Sequence, residues 1–221
     1  MTDLAIRSAV GILLIAVALA AAVLGGTVFA VMVALIATIM YMEWSRMLSS
    51  WGGAWKVYGF IYCLLPAVSL LWIREQAEYA GIGSGPELLI WVFLTVWSTD
   101  IGAYFAGRMI GGPKLAPSIS PNKTVAGLVG GMACATLVAC WWVNIVNWDS
   151  AARLPGTLFW LAPIFALLSQ LGDLFESGLK RRAGVKDSGT WLPGHGGLLD
   201  RLDGLVPVAI MTAGMMLAGW L

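Results

Sequence analysis

Seven apolar runs, at about residues 9–24, 27–41, 57–73, 88–106, 125–146, 157–174 and 205–221, leave this chain few ways to fold. A helix needs roughly 20 apolar residues to cross the hydrocarbon core of a bilayer, so the shorter runs must borrow flanking residues. With 59% hydrophobic and only 11% charged residues, the chain falls far from the roughly 25% charged residues of a soluble domain. The expectation is an all-α, polytopic integral membrane protein with about seven transmembrane helices. The first run is read as a retained span, because a second run follows almost at once and no convincing cleavage site intervenes. Gly25 and Gly26 make that first link so short that spans one and two form a tight hairpin or a re-entrant pair.

Cation placement orients the spans, because cytoplasmic loops are enriched in Lys and Arg. With the N-terminus cytoplasmic, the inside segments hold Arg7; Arg46 and Lys56; Arg108, Lys114 and Lys123; and Lys180, Arg181, Arg182, Lys186 and Arg201. That is eleven of the thirteen cations; Arg74 and Arg153 fall outside, and Glu75, Glu78 and Glu87 accompany Arg74. Two polar loops, at about 107–124 and 175–204, then lie on the cytoplasmic face. The first 90 residues read as three spans, and 91–221 as a catalytic membrane domain carrying both loops. A net charge of +1 leaves no footprint for nucleic acid. Cys63, Cys134 and Cys140 lie within apolar runs without metal-type spacing and read as small packing residues.

The second loop is the densest polar chemistry in the chain. Residues 177–203 read SGLKRRAGVKDSGTWLPGHGGLLDRLD and contain Lys180, Arg181, Arg182, Lys186, Asp187, Asp200, Arg201, Asp203 and the single histidine, His195. Glycines and Pro193 around His195 forbid regular structure and let backbone approach a ligand. If the following run begins a helix, Asp200 and Asp203 share a face and can share a cation. The first loop, GRMIGGPKLAPSISPNKT, offers Arg108, Lys114 and Lys123 together with Ser118, Ser120 and Thr124. Lysines, hydroxyls and free amides suit a polyphosphate, although neither GxxxxGK[ST] nor GxGxxG is present, and an ordinary basic loop would look the same.

Two carboxylates stand at span ends. Asp100 lies within WVFLTVWSTDIGAYFAG, with Tyr104 one turn later on the same face, and an intramembrane acid marks either function or helix pairing. Asp173, in SQLGDLFES, precedes Glu176 and Ser177. Asp173, Asp200 and Asp203 form either an oxygen-donor site for Mg²⁺ or a set of salt bridges to Lys180 and Arg201; the residues alone leave both open.

At this point the residues resemble a known family. The pattern S-x-x-K-R-x4-K-D, then P-G-H-G-G, then D-R-x-D is similar to that of the phosphatidate cytidylyltransferases (CDP-diacylglycerol synthases). It is matched by Ser177, Lys180, Arg181, Lys186, Asp187, Pro193, Gly194, His195, Gly196, Gly197, Asp200, Arg201 and Asp203. Asp100, Ala103, Tyr104, Gly107, Arg108, Lys114, Leu115, Pro117, Ser120, Pro121, Lys123, Thr124 and Gly127 match the first loop's pattern. The resemblance covers about residues 97–204. It departs at Ala126, where a glutamate is common, and in length, since many members carry extra N-terminal spans.

The resemblance implies transfer from CTP to phosphatidate, giving CDP-diacylglycerol and pyrophosphate, at the cytoplasmic face of a bacterial-type inner membrane. It implies Asp173, Asp200 and Asp203 as metal ligands for Mg²⁺, with K⁺ as a second ion. Under it, Lys114, Ser120, Lys123 and Thr124 meet the nucleotide phosphates, with Asp100, Tyr104, Arg108, Ser177 and Arg201 lining the substrates. Lys180, Arg181 and Lys186 meet the lipid phosphate or the leaving pyrophosphate, Asp187 belongs to the catalytic set, and His195 donates to a phosphate or fixes its glycine loop. Acyl chains stay in the lipid if the site opens laterally. A related lipid-linked CTP enzyme and, in a different class, a transporter are the competing readings. Small residues along the spans allow close packing within a monomer or between two copies in a homodimer.

Overall fold

The computed structural model describes residues 3–80, 82, 85–149, 153–192 and 196–221. The elements run α1 (Asp3–Leu24), α2 (Gly26–Met47), a 3₁₀ turn (Ser49–Trp51), α3 (Gly53–Tyr79), α4 (Pro86–Met109), β1 (Lys114–Ala116), β2 (Ser120–Thr124), α5 (Val125–Asp149), α6 (Thr157–Arg182), α7 (Leu199–Leu202) and α8 (Leu205–Leu217). Each apolar run lies on its own helix. Among the described residues, five helices (α2 to α6) are long and apolar enough to cross a membrane, and the chain is a multi-pass membrane protein. Seven spans are expected; five helices have the length and apolarity, and residues Ala9–Leu24 and α8 are shorter apolar helices. At 1.5 Å per residue, the 13 residues of α8 reach only about 20 Å, against a hydrocarbon core of about 30 Å. Large side chains such as Leu13, Leu35, Leu137 and Trp160 stay exposed on the helix surfaces, as they do when the surrounding solvent is lipid.

Gly25 explains the first reversal. Its φ of +62° is a left-handed conformation that ends α1 and lets α2 begin at the next residue. The last carbonyls of α1 would be left without partners. Arg74, from α3, donates through Nε to Ala22 O at 2.6 Å and through Nη2 to Val23 O at 3.1 Å.

Helices α4 and α5 are pressed together along a seam of small residues. A Cβ built on Gly102 would stand 2.7 Å from the Gly130 carbonyl oxygen, and one on Gly131 would stand 2.8 Å from that of Thr99. Backbones this close are what small residues permit in a membrane, where dispersion rather than hydrophobicity drives association. The seam matters for the site because α4 and α5 flank the β1–β2 hairpin. The first loop is a hairpin: β1 and β2 pair antiparallel, with Lys114 opposite Thr124 and Ala116 opposite Ser120. Alternating polar residues between two turn-forming segments satisfy their backbone groups across the pair.

Packing occurs around two centres. Phe29, Ile73, Leu88, Trp91, Leu158 and Phe165 are buried in the larger. In the smaller, Met40, Trp44, Leu48 and Cys63 from α2 and α3 and the turn between them meet Leu179, Leu199 and Val206. This second core seats the short helix α7 against α2 and α6, and so determines where Asp200 and Asp203 point.

Candidate active site

The two polar loops converge. An open cavity of about 830 Å³ lies between the hairpin, the ends of α4 and α6, and α7. Pockets for one small molecule run about 300–1,000 Å³, so a nucleotide has room here. Its walls include Asp100, Tyr104, Arg108, Lys114, Lys123 and Thr124 from the first motif region, and Asp173, Lys180, Asp187, Asp200, Arg201 and Asp203 from the second.

Helical spacing produces the first wall. Tyr104 and Arg108, four residues apart on α4, meet side by side: Arg108 Nη1 donates to Tyr104 Oη at 2.9 Å, and the guanidinium sits 6.0 Å from the ring centroid. Asp100, one turn earlier, accepts a long hydrogen bond of 3.4 Å from Gln170 Nε2 on α6. Thr124 ends β2 and caps α5, its Oγ1 accepting from the Gly127 amide at 3.0 Å, and it is buried. Lys123 reaches across to α6 and pairs with Asp173 at 2.6 Å.

The second wall is an ordered network. Ser177 donates to Asp173 Oδ1 at 3.1 Å, one helical turn along α6. Lys180 Nζ lies 2.7 Å from Asp200 Oδ1 and 3.0 Å from Glu176 Oε1, with 11% of its side chain exposed. Asp200 also accepts from the Ser188 amide, at 3.1 and 3.0 Å to its two oxygens, and from the Gly197 amide at 2.9 Å. Burial alone would raise the Asp200 carboxyl, but hydrogen bonds from Lys180 and from the Gly197 amide outweigh it and hold the group below its ordinary range. Asp203, three residues on, has the opposite fate. Burial and then the neighbouring negative charge of Asp173 push it up to about 8, against which the Gly204 amide bond, 2.8 Å long, is a weaker pull. The two aspartates that share a helix face therefore have unlike environments, one saturated with donors and one short of them.

The placement differs for the remaining expected residues. Ser120 lies on β2, half-buried, and does not line the cavity. Lys186 is exposed and also outside the lining. Arg181 faces a separate groove with Arg182, Phe175 and Ile119, and its Nε donates to the Ile119 carbonyl at 3.3 Å. His195 lies outside the described residues. Two polar lining residues, Asn122 and Gln170, are absent from the sequence expectations. The signal for Gln170 was available: an amide inside an apolar helix, one turn before Asp173.

The cavity's chemistry suits an anion accompanied by a cation. Five basic side chains (Arg108, Lys114, Lys123, Lys180, Arg201) are matched by five carboxylates (Asp100, Asp173, Asp187, Asp200, Asp203), so the lining by itself does not offset a triphosphate. The donors are all oxygens, the type Mg²⁺ selects. Asp203, raised beside Asp173, holds its proton at neutral pH, so a cation bound there would take that proton's place. Among the described residues, no three acidic, histidine or cysteine side chains already stand in ligating geometry. In that sense the donor set fits Mg²⁺ by chemistry while its carboxylates are held by Lys123, Lys180 and amides.

Residues 60–218 match the Cytidylyltransferase family. The chain is 42% identical over 184 residues to a phosphatidate cytidylyltransferase of Brucella suis, covering 81% of this chain and 62% of that protein. It is 45% identical over 142 residues to a phosphatidate cytidylyltransferase of Staphylococcus saprophyticus, covering 64% of this chain and 53% of that protein. The chain thus spans little more than half the length of these relatives. With the family match running across most of its helices and both walls of the cavity, the chain belongs to the cytidylyltransferase family.

Proposed function

We propose that the protein is a phosphatidate cytidylyltransferase, transferring CMP from CTP to phosphatidate to give CDP-diacylglycerol and pyrophosphate. The observation that carries this is the meeting of the two motif segments in one charged cavity at the ends of membrane helices. Relatives bearing that name are similar to this chain over 184 and 142 residues. The N-terminus and both motif segments face the cytoplasm in this reading, in keeping with eleven of thirteen cations falling on that side.

A phosphate monoester has a second pKa near 6, so the lipid phosphate arrives largely ionised and needs no strong general base. Its oxygen attacks the α-phosphorus of CTP, the bond to the β-phosphate oxygen breaks, and pyrophosphate leaves with that electron pair. The chain's contribution is positioning and charge. Lys114 and Lys123 hold the triphosphate from the hairpin side. Lys180 and Arg201 face it from the other wall and offset charge on the attacking and leaving phosphates. Tyr104 fixes the Arg108 guanidinium towards the mouth. Mg²⁺, when held by Asp173 and Asp203 with Asp100 and Asp200 alongside, supplies further neutralisation of the phosphate oxygens. The lipid's acyl chains remain in the membrane.

The test is formation of CDP-diacylglycerol from CTP and phosphatidate by purified protein in detergent, with and without Mg²⁺, for wild type and Asp203→Asn. Asparagine mimics the protonated carboxyl that burial already favours, so the variant folds while losing a charged oxygen donor. Mg²⁺-dependent product from wild type, lost in the variant, supports the reading. Absence of product from folded wild type across several phosphatidates overturns it and directs the search to other lipid phosphates.

A further inference from the structure

We infer that Glu43, on α2, is a positioning residue for the catalytic loop; the inference rests on the proposed function. Glu43 is fully buried. A carboxylate in that position is costly unless donors surround it. Three do: its Oε2 accepts from the Ser188 hydroxyl at 3.2 Å and the Leu199 amide at 2.8 Å, and its Oε1 accepts from the Leu198 amide at 3.0 Å. Its partners lie 145 to 156 residues away in sequence and on both sides of the glycine-rich stretch between Ser188 and Leu198. The carboxylate therefore clasps that stretch by its two ends.

Asp200 holds the same two ends from the cavity side, accepting from the amides of Ser188 and Gly197. The two ends of the segment, at Ser188 and at Gly197 to Leu199, are thus held by both carboxylates. Gly189 and Gly197 are the residues against which Glu43 lies, and a Cβ at either would collide with its carboxylate. Because Asp200 in turn holds Lys180 at 2.7 Å, Glu43 sets the position of a cavity cation that it does not touch. The hairpin carrying Lys114 and Lys123 is not part of this chain of contacts. Loss of Glu43 should accordingly leave nucleotide binding in place and slow the chemical step.

Glutamine tests this with little change in shape. Whichever way its amide turns, its NH₂ faces the backbone N–H of Leu198 or of Leu199, and one clasp is lost. The expected result for Glu43→Gln is a fall in kcat of about tenfold or more with KM for CTP within about twofold, and faster hydrogen exchange of the Leu198 and Leu199 amides. Ser188→Ala removes a single donor, keeps both amide bonds, and gives a smaller fall of about threefold. A residue that served stability alone would lower yield and thermal midpoint while the folded fraction kept wild-type kcat. Wild-type kcat per folded molecule in Glu43→Gln, or unchanged exchange at Leu198 and Leu199, overturns the inference. If Glu43→Gln does not fold, wild-type kcat and exchange in Ser188→Ala overturn it. If wild-type protein makes no CDP-diacylglycerol, the functional reading fails, whereas the exchange measurement still decides whether Glu43 holds the loop.

Discussion

Replacing Lys180 by methionine keeps the length of the side chain and removes an ammonium that stands between two carboxylates. The two are not equally dependent on it. Asp200 retains the amides of Ser188 and Gly197, whereas Glu176 is fully buried and rests on Lys180, 3.0 Å from its Oε1. Breaking a buried ion pair from one side costs about 3–5 kcal/mol as long as the remaining carboxyl stays ionised, so the measurement belongs at alkaline pH. For a chain of this length each kcal/mol moves the midpoint by roughly 2–4 °C, so Lys180→Met lowers it by roughly 6–20 °C. A thermal ramp in detergent followed by tryptophan fluorescence reads this directly. The second arm is Lys180→Met with Glu176→Gln, which removes the stranded charge and should restore more than half of the lost stability. A single variant within about 3 °C of wild type, corresponding to about 1 kcal/mol, would refute the reasoning, as would a double variant no more stable than the single.

Three further outcomes follow from the geometry. Lys123→Ala removes a charge-assisted contact worth about 1.5–3 kcal/mol, so kcat/KM for CTP falls by roughly 10- to 150-fold in steady-state assays. It also frees Asp173 from its 2.6 Å partner. Gly102→Val forces a side chain into the α4–α5 seam and destabilises by about 1–3 kcal/mol, measured by the same thermal ramp; an unchanged midpoint would contradict the close approach to Gly130. Asp203 is raised, so below about pH 8 the metal-free site carries a proton that a cation must displace. Apparent Mg²⁺ affinity therefore rises with pH up to about that value and levels off above it, and calorimetry in two buffers at pH 7 should show proton release approaching one per ion.

What could be read without a structure was local. Helices α3 to α6 were legible because runs of about 20 apolar residues in lipid must satisfy their own backbone, and a helix is the way a single segment does so. The two motif segments were legible because glycine, proline and charge interrupt those runs. Twelve expected site residues line one cavity for the same reason: both segments leave the membrane at helix ends, and helix ends on one face are neighbours. Less legible were the β1–β2 hairpin, whose polar strands carry little hydrophobic alternation, and the short span of α8.

What only the tertiary structure decided is which partner each charge keeps. Asp200 and Asp203 are three residues apart, yet Asp200 is saturated by Lys180 and two amides while Asp203 is half-buried beside Asp173. Arg181 follows Lys180 directly, yet one lines the cavity and the other a separate groove, since successive helical residues point about 100° apart. Glu43 shows the limit most plainly. In sequence it is a lone acid in MYMEWS; its role depends on amides about 155 residues later, and a contact at that separation exists only once the second core has brought α2, α6 and α7 together.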